Sequence, residues 1–130
     1  PAGTWRIEVA GGAFCDGTAW INASDRQYKT NINDLTKYGL KDTLKLRPVS
    51  YLYKNDPKKV PQIGLIAQET ELVIPEVVSG TNGKKGLAYQ LLIPVLVNAI
   101  KELSSENSDL KKKNSELEAR LKKIEKKLGL

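Results

Sequence analysis

Along residues 91–128, apolar side chains recur with a period of seven residues, and mostly polar side chains occupy the positions between them. Counted from Ile93, the a and d positions of this repeat form one apolar stripe, interrupted only by two asparagines at a. This stripe, which we call the seam, comprises Ile93, Leu96, Ile100, Leu103, Asn107, Leu110, Asn114, Leu117, Leu121, Ile124 and Leu128. A narrow stripe sustained over about five heptads has to be covered by partner helices. The pattern therefore predicts a coiled coil rather than one amphipathic helix packed on its own domain.

The two asparagines of the seam, Asn107 and Asn114, stand at neighbouring a positions. A buried asparagine costs stability and is satisfied best by the same residue on a partner helix, which fixes the register and favours parallel alignment. The heptads alone leave the number of chains open. Ile at a with Leu at d favours dimers, whereas Leu121 at a and Ile124 at d favour larger assemblies.

Shorter patterns upstream of the helix are typical of strands. Residues 4–9 alternate polar and apolar side chains, and residues 18–21 form a second short apolar run. The apolar face of the first strand would comprise Trp5, Ile7 and Val9, and turn signals follow at Gly11-Gly12 and Asp16-Gly17. Two short strands are not stable alone. We interpret residues 1–23 as the end of a larger β-rich structure.

The middle of the chain, residues 24–88, predicts a small α+β unit. Asn33 or Asp34 could cap a helix that ends before Pro48, and a short helix over residues 67–72 is closed by Pro75. Strands are predicted over residues 48–53 and 62–66, with a further strand at 77–78. The predicted fold class is thus α+β, with short N-terminal strands, this unit, and a long helix over residues 89–130 that forms a parallel coiled coil.

Composition narrows the possible functions. The net charge of +6 suggests a basic-zipper DNA-binding protein, but the residues before the seam, 86–93, are apolar rather than basic, so a nucleic-acid partner is not expected. No apolar run is long enough to span a membrane, and a single Cys15 cannot form an intrachain disulfide. The absence of methionine and the start at Pro1 suggest a piece of a longer polypeptide.

The chain contains no histidine. This excludes a histidine general base and a Ser-His-Asp triad, and it removes the commonest transition-metal ligand. No metal and no cofactor are expected, and any catalysis has to use lysine, carboxylate, serine or cysteine side chains.

Five segments, in this order, resemble the peptidase S74 family, the C-terminal intramolecular chaperone domains of phage tail spikes, tail fibres and neck appendages. They are SDRQYKTNI (24–32), LKLRPVSY (44–51), GLIAQE (64–69), IPEVV (74–78) and AIKEL (99–103). The resemblance covers about residues 11–103. It implies a homotrimer that helps the preceding β-rich fibre of the same polypeptide to fold and is then released by self-cleavage. It further implies a virion precursor assembled in the host cytoplasm, with the chaperone absent from the mature fibre.

The same resemblance implies a single-turnover serine peptidase with a Ser-Lys dyad. Carried over, Ser24 is the nucleophile, Lys29 is the base, Ala23–Ser24 is the scissile bond and Asp25 has a supporting role. On a regular helix Ser24 and Lys29 would lie about 140° apart, so a turn has to bring them together. A lysine accepts a proton only when neutral, which requires burial or nearby positive charge.

Two other interpretations remain open at this point. In one, Ser24 caps a turn, Lys29 is a surface lysine, and the chain is a non-cleaving coiled-coil trimerisation module. In the other, the basic coil binds a polyanion, although a solvated outer face explains its lysines as well.

Overall fold

The computed structural model of this chain describes residues 7–9, 13–15 and 19–130, and within them the fold is α+β with short strands and a long C-terminal helix. This confirms the α+β class and the long C-terminal helix, and the parallel coiled coil stays a prediction. The chain divides into two compact units, Pro1–Asp34 and Leu35–Leu130. The second unit therefore contains both the small α+β core and the long helix.

The first unit contains an antiparallel sheet of three short strands, β1 (Ile7–Val9), β2 (Ala13–Cys15) and β3 (Trp20–Asn22), in that order. Ile7 lies opposite Cys15, which in turn lies opposite Trp20. The sequence predicted only two strands, because three residues are too few for β2 to show an alternating pattern. The predicted turns at Gly11-Gly12 and Asp16-Gly17, and the position of Trp5, lie outside the described residues.

The second unit contains two antiparallel pairs of strands. β4 (Val49–Tyr51) pairs with β5 (Gln62–Gly64), with Val49 opposite Gly64, which confirms the two strands predicted there. β6 (Val78–Ser79) pairs with β7 (Gly86–Leu87). A short helix, α2 (Ala67–Glu71), follows β5, and a 3-10 turn over Pro75–Val77 leads into β6.

The helix predicted to start at Asn33 or Asp34 is wrong in its position. The structure has only α1 (Leu40–Thr43) in this region. The Asn33 side-chain amide instead donates to the Asn31 carbonyl at 2.9 Å, and Asn31 adopts a left-handed backbone conformation with φ of 50°. The free N–H of Leu40 donates to the Glu102 carboxylate at 2.7 Å. The start of α1 is therefore set by a contact distant in sequence and not by a local cap.

The core of the second unit is small and is completed by the start of the long helix, α3 (Leu92–Leu128). Its buried apolar residues are Ile74, Val77, Leu92, Val95 and Ala99. Thr70 is also buried, and its hydroxyl donates to the Ile66 carbonyl at 2.9 Å. Since α3 supplies Leu92, Val95 and Ala99, the globular part depends on this helix for its own packing.

α3 spans 37 residues, which corresponds to about 55 Å of helix. Pro94 occupies its first turn, where the missing N–H costs least. The helix ends at Leu128, and the following Gly129 has a φ of 73°, the left-handed conformation that favours glycine at this position. After Ala99, α3 has no buried residue. In the part of the chain that the structure describes, no helix has the length and apolar composition to cross a membrane.

Candidate active site

A tight turn follows β3 and brings Ser24 next to Lys29. Asp25 is extended, with φ of −62° and ψ of 142°, and its carboxylate accepts from the Gln27 N–H at 2.9 Å. A single 3-10 turn over Arg26–Tyr28 follows, and the Lys29 N–H donates to the Arg26 carbonyl at 3.0 Å. Aspartate is a favoured residue for capping such a turn, because its side chain accepts from a backbone N–H that would otherwise lack a partner.

This turn places Lys29 Nζ 2.7 Å from Ser24 Oγ. The two residues are five apart in sequence, and a regular helix would have separated their side chains. The bend required by the sequence argument is therefore present, and its cap is Asp25 and not Ser24. The Lys29 amine donates to the Ser24 hydroxyl oxygen, so the two groups lie within hydrogen-bond distance of each other.

The site is open to solvent in the single chain. Ala23, Ser24, Asp25 and Lys29 are all exposed, so the peptide bond before Ser24 lies at the surface next to the amine. Exposure makes this bond accessible to attack. It also means that these elements alone do not bury the lysine.

The seam lies along one exposed face of α3. Its apolar residues are between 42 % exposed, at Leu96, and 68 % exposed, at Leu128, and Asn107 and Asn114 are exposed on the same face. Leu92, Val95 and Ala99, which pack on the core, occupy g and c positions on a stripe beside the seam and distinct from it. The α+β core therefore does not cover the seam, and the interpretation as one amphipathic helix packed on its own domain does not describe this chain.

Two polar residues fasten α3 to the segment before α1, and sequence reasoning did not assign them a role. The Asn98 side-chain amide donates to the Leu35 and Tyr38 carbonyls, the latter at 3.2 Å. Glu102 accepts from the Leu40 N–H, and a Cβ atom on the buried Gly39 would lie 2.1 Å from Glu102 Oε1. The available signal was a pair of polar residues four apart on a helix that is otherwise apolar at its start.

Three carboxylates of the second unit that could have formed an acidic cluster are instead each paired with a different cation. Glu69 forms a two-pronged ion pair with Arg47, Glu71 pairs with Lys85, and Glu76 pairs with Lys37 at 2.6 Å. Glu76 also accepts from the Tyr38 hydroxyl at 2.6 Å. The hydrogen bond from Lys37, and then that from Tyr38, lower the pKa of Glu76 to about 2. These contacts are structural ties between neighbouring segments.

The aromatic residues of the second unit also make internal contacts. The rings of Tyr51 and Tyr53 pack edge to face with centroids 5.3 Å apart, and the Tyr89 hydroxyl accepts from the Leu65 N–H at 2.9 Å. Because Tyr89 approaches so closely, a Cβ atom at Gly64 would lie 2.4 Å from its hydroxyl oxygen. The tyrosines thus hold β4, β5 and the start of α3 together.

The match of this chain to a known family begins at the candidate site. Residues 24–79 match the Peptidase_S74 family, described as the chaperone of endosialidase. The family resemblance inferred from the sequence is confirmed over this segment, which begins at Ser24 and ends before the long helix. A comparison with curated proteins gave no match.

Proposed function

We propose, on the premise that residues 24–79 are a peptidase S74 segment, that this chain is a C-terminal intramolecular chaperone. It drives homotrimerisation and folding of an upstream β-rich phage fibre or appendage, and it is then removed by autoproteolysis between Ala23 and Ser24. The observation that carries the proposal is the 2.7 Å contact between Lys29 Nζ and Ser24 Oγ. The start of the family match at Ser24, the residue after the proposed cut, supports the same bond.

The reaction needs only these two side chains and water. Neutral Lys29 takes the proton of Ser24 Oγ as that oxygen attacks the Ala23 carbonyl carbon. The C–N bond between Ala23 and Ser24 then breaks, and the leaving nitrogen takes the proton back from the lysine. Ala23 is now held as an ester on Ser24 Oγ. Water hydrolyses this ester, which leaves a carboxylate on Ala23 and a free amine on Ser24.

Assembly offers a physical means of controlling this reaction. Burial disfavours the charged form of an amine, whereas Lys29 is exposed in the single chain. A neighbouring chain that covers the pair would favour the neutral lysine, so cleavage would follow trimerisation. The exposed seam supplies the surface on which the chains associate.

The test uses the full-length parent protein and a denaturing gel. Ser24→Ala and Lys29→Ala should each abolish release of the C-terminal fragment while the trimer still assembles. Lys29→Arg should fail to restore release, because a guanidinium does not give up its proton near neutral pH. Two exposed residues of the second unit, Ser115 and Lys84, provide matched controls, and Ser115→Ala and Lys84→Ala should cleave normally.

The released fragment should begin Ser-Asp-Arg-Gln on N-terminal sequencing, and its rate of release should rise with pH as the neutral fraction of the amine grows. A fragment that begins elsewhere, or release from Ser24→Ala, would refute the dyad. The exposed seam would then favour a second candidate, a non-cleaving trimerisation module, which gives one intact band on the same gel and a trimer by sedimentation.

A further inference from the structure

The seam is flanked by charges arranged in a regular order. In a parallel coiled coil, the g residue of one helix lies beside the e residue five positions later on its neighbour. Three successive pairs of this kind carry opposite charges. They are Glu106 with Lys111, Lys113 with Glu118, and Arg120 with Glu125.

These residues cannot satisfy one another within one chain. Positions five apart lie about 140° apart around a helix, on the two sides of the seam. All six belong to α3; five are exposed and Glu125 is half-buried. Among the residues that the structure describes, none of the six makes an ion pair in its own chain. Their charges are thus available to a neighbouring helix.

The shape of the helix surface agrees with this placement. Two hollows lie along the seam. One is bordered by Ile100, Leu103, Ser104 and Asn107, and the other by Asn114, Leu117, Glu118 and Leu121. Each set occupies positions a, d, e and the next a, which is the hole that receives a d side chain from a helix running in the same direction. Arg120, a g residue, also lines the second hollow. With Glu118 at e, charged residues from both sides of the seam therefore border this hollow.

The upstream heptads cannot contribute such pairs. The earlier g positions, Leu92 and Ala99, are apolar and are buried in the core of their own chain.

 Because Leu92 packs against Ile74 and its neighbours and Ala99 is also buried, the first g position at which a charge can meet a partner helix is Glu106. The ordered charges begin at that position.

We propose that the charges beside the seam select a second copy of this chain and hold it without stagger, with Glu106, Lys113 and Arg120 of each helix paired with Lys111, Glu118 and Glu125 of its neighbour. This rests on the proposed parallel assembly and adds the residues that set its register and its choice of partner chain. A shift of one heptad replaces these pairs by a mixed set. Glu106 then faces Glu118 on one side and Lys113 faces Lys111 on the other, whereas Arg120 with Glu118 stays attractive. Among the six residues, only the unshifted arrangement opposes no like charges. An antiparallel arrangement places g against g and e against e, where basic residues dominate g and acidic residues dominate e.

Exposed ion pairs of this kind each contribute little to stability and are screened by salt. Their effect lies in the choice of partner and register, since opposed like charges penalise the wrong arrangement. The apolar seam drives association, and the charged g and e residues select the partner chain and its register.

The experiment reverses the charges of one flank at a time in the full chain, where the g flank is the three charged g residues named above and the e flank is their three e partners. The g variant carries Glu106→Lys, Lys113→Glu and Arg120→Glu, and the e variant carries Lys111→Glu, Glu118→Lys and Glu125→Lys. Each should oppose three like-charge pairs per interface and weaken assembly at low salt by at least about tenfold in sedimentation equilibrium. The variant with all six changes restores every pair and should assemble like the wild type. It should not mix with the wild-type chain.

Effects within one helix are distinguishable from effects between helices. Reversal also creates like charges four apart in one chain, as Arg120→Glu does beside Glu116. These unfavourable contacts add up in the six-fold variant, whereas the interchain ones cancel. A six-fold variant that is weaker than either parent would therefore overturn the proposal. So would a g variant that assembles as tightly as the wild type at low salt.

The relative direction of the two helices is measured separately, with a cysteine introduced at the end of the helix. In a Cys15→Ser background, Leu130→Cys should give a disulfide-linked dimer band on oxidation if the helices are parallel, and no such band if they are antiparallel. The wild-type mass is measured first. A monomeric wild type refutes the proposed assembly as well, whereas an oligomeric wild type that is indifferent to flank reversal refutes only this inference.

Discussion

The two parts of α3 differ in what covers them. At its start, Leu92, Val95 and Ala99 are at most 6 % exposed, because they complete the core of the second unit. Further along, Leu110, Leu117 and Leu121 are all more than half exposed. The first part is packed by its own chain, and the second has apolar residues that only another molecule can cover. One helix therefore carries both a face that completes the α+β core and a face that, in the function we propose, associates with other chains.

The two functions do not compete for the same face of the helix. The core uses g and c positions, the seam uses a and d, and both stripes are present together between Leu92 and Glu102. Asn98 and Glu102 add hydrogen bonds to the segment at Leu35–Leu40 and mark the end of the packed part. A partner helix on the seam thus leaves the core contacts intact, so each part can be disrupted separately.

The largest expected effect comes from placing charge in the seam. Leu110→Asp with Leu117→Asp would bury carboxylates in every interface, each at a cost of several kcal/mol, and should leave a monomer at micromolar concentration in sedimentation experiments. The α+β core should stay folded, since neither residue touches it, and its near-ultraviolet circular dichroism should be retained. Lys112→Asp with Ser115→Asp, on the outer face, is the matched control and should remain assembled. Continued assembly of the seam variant would show that another surface holds the chains together.

The converse change is made in the core. Ile74 is 1 % exposed, so Ile74→Ala should destabilise the second unit by about 2–5 kcal/mol, through lost burial and the cavity left behind. Leu72, two residues earlier, is 88 % exposed, and Leu72→Ala should change stability by no more than about 0.5 kcal/mol. Urea unfolding at one fixed protein concentration measures both, because association shifts apparent stability. Equal losses in the two variants would contradict the division between core and surface drawn above.

A smaller effect is expected from the asparagines of the seam. Asn107→Ile with Asn114→Ile removes two polar residues per chain from the interface, so the melting temperature should rise by several degrees. The assembly should also become less uniform, because the asparagines no longer select one register. Thermal unfolding and sedimentation velocity test both statements. A variant that melts lower and keeps a single oligomeric state would show that the asparagines are not buried against each other.

The sequence was most informative where one physical rule acts locally. The seam follows from a period of seven, and β4 and β5 follow from short β-prone segments separated by a proline-containing loop. The start of α1 could not be predicted in this way, because Glu102, distant in sequence, supplies the partner of the Leu40 N–H. The core positions of α3 were also missed, since a seam and a core stripe on one helix overlap in the sequence pattern.

The candidate site was predicted differently. Spacing alone would have separated Ser24 from Lys29, and only the family resemblance singled them out. What the residues themselves could indicate was the cap, because an aspartate after the serine is a typical start for the turn that brings the lysine back. The exposure of the pair was not predictable from the sequence, since it depends on what packs around the turn.

The smallest expected effect concerns acid stability of the second unit. The Lys37 hydrogen bond, and then the Tyr38 hydrogen bond, lower the pKa of Glu76 from its ordinary 4.5 to about 2. A carboxylate with a lowered pKa stabilises the folded state above its unfolded value, and that contribution is lost as the pH falls from about 4.5 towards 2. The same ion pair raises the pKa of Lys37, so its contribution persists at neutral pH and is lost only under strongly alkaline conditions.

Glu76→Gln should therefore lower stability slightly at neutral pH, and its difference from the wild type should shrink to nothing between pH 4.5 and 2. The effect is small because the side chains of Lys37 and Glu76 are 65 % and 53 % exposed, so that solvent screens the pair. Glu69 and Asp42, whose pKa values are lowered by Arg47 and Lys45, titrate over the same range in both proteins and cancel in the comparison. Glu116→Gln, a change at an exposed residue of α3, should follow the wild-type curve throughout. Urea unfolding across this pH range provides the measurement, and a difference that persists undiminished at pH 2 would mean that Glu76 acts through packing and not through its charge.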